Sequence, residues 1–197
     1  MRKLLIIVSI LFLTACSSEE ITSLDEMKIS PTDFSKRETI LLEGIMGQEV
    51  LGYDVKSIPN EHLLNIIVEH YHDGVKQENV VEMADTFLEE NKLESIVITK
   101  EKTDKSFTFK TIVLYENGFN SMVSNGVYEE VNASSLFKKL EEEVTFTLNE
   151  EIIIGLAIED NGNKLMNGTL KEDDPRFQEI IDLYQDVFVY KVSVSKE

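Results

Sequence analysis

The chain has 197 residues, 42% of them hydrophobic, with 19 Lys+Arg against 37 Asp+Glu and a formal net charge of −18. That length suits one domain or two small ones, and the apolar content is enough to build a core without disulfide staples. The acidity excludes nucleic acid as a partner, because phosphate binding needs basic patches and, beyond Arg2-Lys3, the longest basic runs here are the pairs Lys36-Arg37 and Lys138-Lys139.

In chain order, Arg2 and Lys3 give a short basic start, and Leu4 to Leu13 follows with Ser9 as its only polar residue. Thr14-Ala15-Cys16 comes next, and polarity rises at once with Ser17-Ser18-Glu19-Glu20. A basic start, a short apolar run and small residues at a cut site make a secretory signal peptide. The apolar run is half of the roughly 20 residues that a membrane-spanning helix needs. Cys16 is the only cysteine, so no intramolecular disulfide can claim it, and thiol catalysis by the downstream domain is excluded.

Leu13-Thr14-Ala15-Cys16 resembles the lipobox of bacterial lipoproteins at all four positions. The resemblance covers only the first sixteen residues. It implies a diacylglyceryl group on the Cys16 thiol, cleavage between Ala15 and Cys16, and a new amino group on Cys16 open to a further acyl chain. One acyl chain holds a protein to a bilayer only marginally, whereas two hold it stably. Loss of Arg2 and Lys3 with the leader would leave 17 basic against 37 acidic residues, a net of −20. Such a charge repels anionic headgroups, so the lipid would have to hold the protein alone. A composition rich in Lys, Glu and Asn and free of Trp points to a low-GC Gram-positive source. The expected location is then the extracytoplasmic face of the plasma membrane.

Residues 16–37 mix Ser, Thr, Glu, Asp and Lys with few large apolar side chains and read as a flexible tether. A first edge strand near Met27–Ile29 is the alternative. The globular domain is expected over 38–197. Thr39-Ile40-Leu41-Leu42 is a short apolar run, and Leu51, Tyr53 and Val55 alternate with polar residues as in a half-buried strand. Leu63 to His72 is β-prone and closes on Asp73-Gly74, a strong hairpin signal. Beyond it, Val75–Met83 reads as a return strand, and a short helix is expected near 82–91.

Ser95–Lys100 reads as a strand. Phe107, Phe109, Thr111, Val113 and Tyr115 then form the apolar row of another, ended by Asn117-Gly118. Asn125-Gly126 reads as a further turn. Ser134–Leu140 is expected to be a short helix, and Ile152–Ile158 a buried strand with a bulge at Gly155. Asp174-Pro175 opens a second helix, with Asp174 as its cap and Phe177, Ile180, Ile181 and Tyr184 on one face. Val187–Val194 is the cleanest amphipathic strand. Five of the nine glycines follow Asn or Asp, the punctuation of hairpins. The reading is a mainly β domain, an antiparallel sandwich or sheet with two or three short helices, with an α+β arrangement as the alternative.

All three histidines lie close in sequence: His62, His70 and His72. On one strand, even positions share a face, so the three imidazoles could supply a Zn or Cu site with help from nearby carboxylates. The competing reading makes them the solvated polar face of an edge hairpin. The Glu-His order at 61–62 and 69–70 does not make a zinc-protease motif. Asp160-Asn161-Gly162-Asn163 does not continue as a calcium loop, because position twelve is Lys171. No nucleophile elbow, phosphate loop or dinucleotide fingerprint occurs in the sequence. The expected function is a non-catalytic binding or scaffolding module of the cell envelope, its partner another envelope protein or a wall component. The alternatives are metal or small-solute binding through the histidines, with a divalent metal as the only cofactor, and an envelope hydrolase with an unrecognised site.

Overall fold

The computed structural model describes residues 26–46, 49–59, 61–86, 92–128, 134–162, 165–166 and 168–196. Two antiparallel sheets pack face to face, as expected for a mainly β sandwich. The first is built from β10 (Val144–Phe146), β1 (Met27–Pro31), β2 (Glu49–Lys56), β6 (Leu93–Lys102), β7 (Ser106–Tyr115) and β8 (Gly118–Val127), in that order. The second runs β4 (Val75–Lys76), β3 (His62–His72), β12 (Asp186–Lys196), β11 (Glu151–Asp160), β9 (Ser134–Lys139), with β5 (Val81–Thr86) also paired to β3. Two helices accompany them, α1 (Lys36–Met46) and α2 (Pro175–Leu183).

Period-two alternation fixes which side chains meet between the sheets. Leu51, Tyr53, Ile96, Ile98, Phe109 and Val113 come from the first sheet, and Leu64, Ile66, Val68, Phe188, Tyr190 and Val192 from the second. A second apolar layer covers the outer face of the second sheet. There α2 lays Phe177, Ile180 and Ile181 on Leu156, Ile158, Val187 and Val189. Strand β12 is therefore buried on both faces, not on one. Asp174 caps α2 as expected, its side chain accepting from the Arg176 N–H at 3.0 Å. The bulge at Gly155 is present as a register shift between Ile153 and Gly155.

Several expectations are corrected. The folded region begins before residue 38: Met27 and Ile29 in β1 are fully buried, and β1 pairs with both β2 and β10. Polar residues around that short strand mask it in the sequence. The apolar run 39–42 lies in α1, opened by a reciprocal capping box in which Ser35 and Glu38 exchange hydrogen bonds at 2.8 and 3.3 Å. Residues 81–86 form strand β5 along β3, and the remainder of the helix expected at 82–91 lies outside the described residues. Residues 134–139 form strand β9 along β11, not a helix, because pairing with a long buried strand outweighs a helical pattern seven residues long. Asn125-Gly126 is not a turn. It lies inside β8, where a Cβ on Gly126 would sit 2.1 Å from the Phe107 ring. Asp73-Gly74 is the hairpin turn expected, with φ of 48° and 78°.

Candidate functional site

Strand β3 lies inside the second sheet, with β12 on one side and β4 and β5 on the other. Its even positions Leu64, Ile66 and Val68 point into the sandwich, so His70 and His72 continue the inward row. The histidines are thus not the solvated face of an edge hairpin. In the register of β3 and β12, His72 lies opposite Asp186 and His70 opposite Phe188. Cross-strand neighbours of this kind bring their side chains together on one face.

Both imidazoles converge on one carboxylate oxygen. His70 Nε2 lies 2.7 Å and His72 Nδ1 3.0 Å from Asp186 Oδ1. Asp186 is only 1% exposed, and the two histidine side chains are 12% and 17% exposed, so the cluster opens to solvent through the imidazoles. The His70 ring is stacked on Phe188, with centroids 4.5 Å apart and planes 7° from parallel, and it makes a T-shaped contact with Phe107 at a centroid separation of 5.8 Å. These aromatic contacts fix the orientation of His70. His62 is not part of the cluster. It sits opposite Lys196 at the other end of β3, eight residues or about 26 Å away along the strand.

Beside this cluster lies a buried ion pair that links the two sheets. Lys100 of β6 donates to Glu159 of β11, with the two residues 2% and 0% exposed, and Lys102 Nζ stands 3.5 Å from the other Glu159 oxygen. Glu159 is the register partner of Asp186, so the pair and the histidine cluster are neighbours across β11 and β12. The Lys100 ammonium also lies 4.0 Å from the centroid of the Phe188 ring. Phe188 therefore carries the imidazole and the ammonium together. Glu49 joins the charged group from β2: burial pushes its carboxyl up and Lys100 pulls it down, with the former dominating. Its Oε2 is buried without a hydrogen-bond partner among the described residues. The same residue lines a cleft of about 670 Å³ between α1, the start of β2 and β9.

A third polar group serves the outer face of the second sheet. Lys191 Nζ lies 3.1 Å from Glu69, 2.8 Å from Glu151 and 2.5 Å from Glu172. Burial acts to lower its pKa, but hydrogen bonds to those three carboxylates outweigh it and raise it. The neighbouring Tyr71 hydroxyl donates to Glu69 at 3.0 Å, and burial together with the Glu69 charge pushes it up to about 12.

Two imidazoles and a carboxylate within 4.8 Å of one another form a donor set for a divalent transition metal. Of the three histidines singled out by sequence, the fold brings together two and replaces the third with Asp186. Asp186, Glu159 and Lys100 were not legible as site residues, because each sits at the end of an apolar run where a charge reads as a turn. The signal that remained was the strict alternation through Val187–Val194, which places position 186 on the same face as Phe188.

Cys16 and Ala15 lie outside the described residues, and among the described residues no helix is long and apolar enough to cross a membrane. No curated protein and no solved structure is significantly similar to the chain. A family model does match it: the YgaN domain aligns over residues 28–194, from the second residue of β1 to within two residues of the end of β12. The match spans both sheets and the whole charged cluster, and the chain belongs to the YgaN domain family.

Proposed function

We propose that the mature chain is a lipid-anchored, non-catalytic binding module on the extracytoplasmic face of the membrane, and that its ligand is a divalent transition metal ion held by His70, His72 and Asp186. The observation that carries the reading is the convergence of His70 Nε2 and His72 Nδ1 on Asp186 Oδ1, at 2.7 and 3.0 Å. Without metal, each imidazole donates an N–H to the carboxylate, which keeps the buried Asp186 satisfied. To take up a metal, each neutral ring shifts its proton to the other nitrogen and turns a lone pair inward. Three protein ligands leave a fourth position open to water or to a donor from a partner. Stacking on Phe188 orients His70 toward Asp186.

The anchor rests on Leu13-Thr14-Ala15-Cys16 and on the sole cysteine at its end. The strongly acidic chain would favour cations near its surface, in keeping with a cation ligand.

The test is a titration of Zn²⁺ and Cu²⁺ into the protein, followed by its melting temperature. A ligand at 100 times its Kd stabilises the folded state by about 2.7 kcal/mol, which is several degrees for a domain of this size. His62→Ala should keep the shift, and His70→Ala/His72→Ala should lose it relative to its own metal-free melting point. A shift that survives the double substitution would overturn the site.

A further inference from the structure

The geometry points to β8 as a self-pairing edge: we propose that two copies of this chain join through antiparallel β8–β8 pairing about a two-fold axis at Val123, extending the first sheet across both copies. This goes beyond the metal reading and does not depend on it.

Strand β8 ends the first sheet, and among the described residues nothing pairs with its outer side. Edge strands are ordinarily protected by charge, proline, brevity or a bulge. Among the described edges here, β4 carries Lys76, β5 carries Glu82 and Asp85, and β9 carries Lys138 and Lys139. The three-residue β10 follows directly on Glu141-Glu142-Glu143. Strand β8 has none of these protections. Its sequence Gly-Phe-Asn-Ser-Met-Val-Ser-Asn-Gly-Val is ten residues without a charge or a proline, in a chain with 28% charged residues. Its register with β7 runs unbroken from Gly118 to Val127.

The backbone phase can be read off the hairpin. Tyr115 and Gly118 close a two-residue turn, so Gly118 bonds to β7, and Tyr128 N–H donates to Lys105 O at 3.1 Å in the same phase. Even positions of β8 therefore spend their N–H and C=O groups on β7. Odd positions Phe119, Ser121, Val123, Asn125 and Val127 turn theirs outward. A two-fold axis at Val123 pairs Phe119 with Val127, Ser121 with Asn125, and Val123 with itself. Every pair joins two outward-bonding residues on one face of the sheet. Counted over both strands these are five pairs of two bonds each, about the number a typical protein interface carries.

The side chains agree with the backbone. Phe119, Val123 and Val127 are 66%, 58% and 75% exposed, and they form one row on the outer face of β8. The two-fold register sets the Phe119 of each copy against the Val127 of the other. A second copy is the occupant this strand fits. The register is self-complementary, the interface closes on itself, and the neutral strand lets two strongly acidic chains approach without opposing charges.

Cysteine cross-linking in membranes carrying the full chain tests the pairing, with wild type setting the background from Cys16. A short bismaleimide should link Val123→Cys into a dimer. It should not link Val75→Cys, exposed on β4, nor Phe119→Cys alone, whose two copies would lie about 26 Å apart along the strands. Phe119→Cys mixed with Val127→Cys should link. In detergent the wild type should sediment as a dimer and Val123→Lys as a monomer that still unfolds cooperatively. A monomeric wild type, or a Val123→Cys yield no greater than that of Val75→Cys or Phe119→Cys, would overturn the proposal.

Discussion

Lys100 and Glu159 face each other across the interior of the sandwich, one from each sheet, and both are closed off from water. A buried pair of this kind is weak support for stability in itself, since desolvation offsets much of the attraction. Removing one partner, however, leaves the other buried without its nearest counter-charge, at a cost of about 3–5 kcal/mol. We predict that Lys100→Met and Glu159→Leu each lower the unfolding free energy by that order, and that Lys100→Met/Glu159→Leu recovers most of the loss. Urea unfolding of the three variants forms a double-mutant cycle, and additive losses would contradict the pairing.

Gly126 is a contact residue. A Cβ there would fall 2.1 Å from Phe107 Cζ, and Phe107 in turn packs at 5.0 Å on Phe188 and 5.8 Å on His70. Gly126→Ala must therefore push a core ring toward the histidine cluster. We expect a loss of about 1–3 kcal/mol, the usual cost of overpacking. A companion Phe107→Leu substitution, which clears the space, should restore part of it in thermal unfolding.

The Glu69–Lys191 group gives a pH dependence with a definite sign. Burial would raise the Glu69 carboxyl, but hydrogen bonds from Lys76 and Lys191 outweigh it and hold the group below its ordinary value of 4.5. Its contribution to stability is present above that value and is lost as pH falls through the depressed folded one. Lys191 is shifted upward from 10.5, so its contribution is present below that value and is lost as pH rises through the folded one. Glu69→Gln should therefore lower the urea midpoint at pH 7 and much less at pH 3. An equal loss at both would contradict the assignment.

The strands β7 and β12 were legible in the sequence because each carries a long period-two alternation, which matches the burial of β7, while β12 is buried on both faces. The helix at Asp174-Pro175 was legible because its cap and its apolar face agree. The failures have a common cause: a local pattern of six or seven residues cannot register a distant partner. Ser134–Lys139 carries helical spacing but lies along the buried β11, and Asn125-Gly126 has turn chemistry but is held straight by β7. For the site, strand parity put His70 and His72 on one face. Sequence distance hid Asp186, which is 114 residues from His72 and opposite it in register. At α1 the signal was present and unused, since Ser35-Lys36-Arg37-Glu38 is a capping box.

That capping box supports a helix with few other supports. In α1, Ile40 and Leu41 are 59% and 48% exposed, so packing contributes less here than at α2. The Ser35 hydrogen bonds also hold the Glu38 carboxyl below its ordinary value. Ser35→Ala should cost about 1 kcal/mol, felt within α1. Amide exchange should quicken over 36–42 while β3 and β12 keep their protection.

The proposed anchor makes the last prediction. Folded structure begins by Met27, so ten residues, 17–26, separate Cys16 from β1. Fully extended, ten residues span at most about 35 Å, so the proposed anchor would keep the sandwich close to the bilayer. With a net charge of −20 after the proposed loss of the leader, the domain would have no electrostatic attraction to anionic lipid, so the proposed membrane association would depend on Cys16. Cys16→Ser should abolish incorporation of labelled palmitate, and the product should remain uncleaved before residue 16 or leave the membrane fraction. Labelling that persists in the variant, with unchanged fractionation, would contradict the anchor.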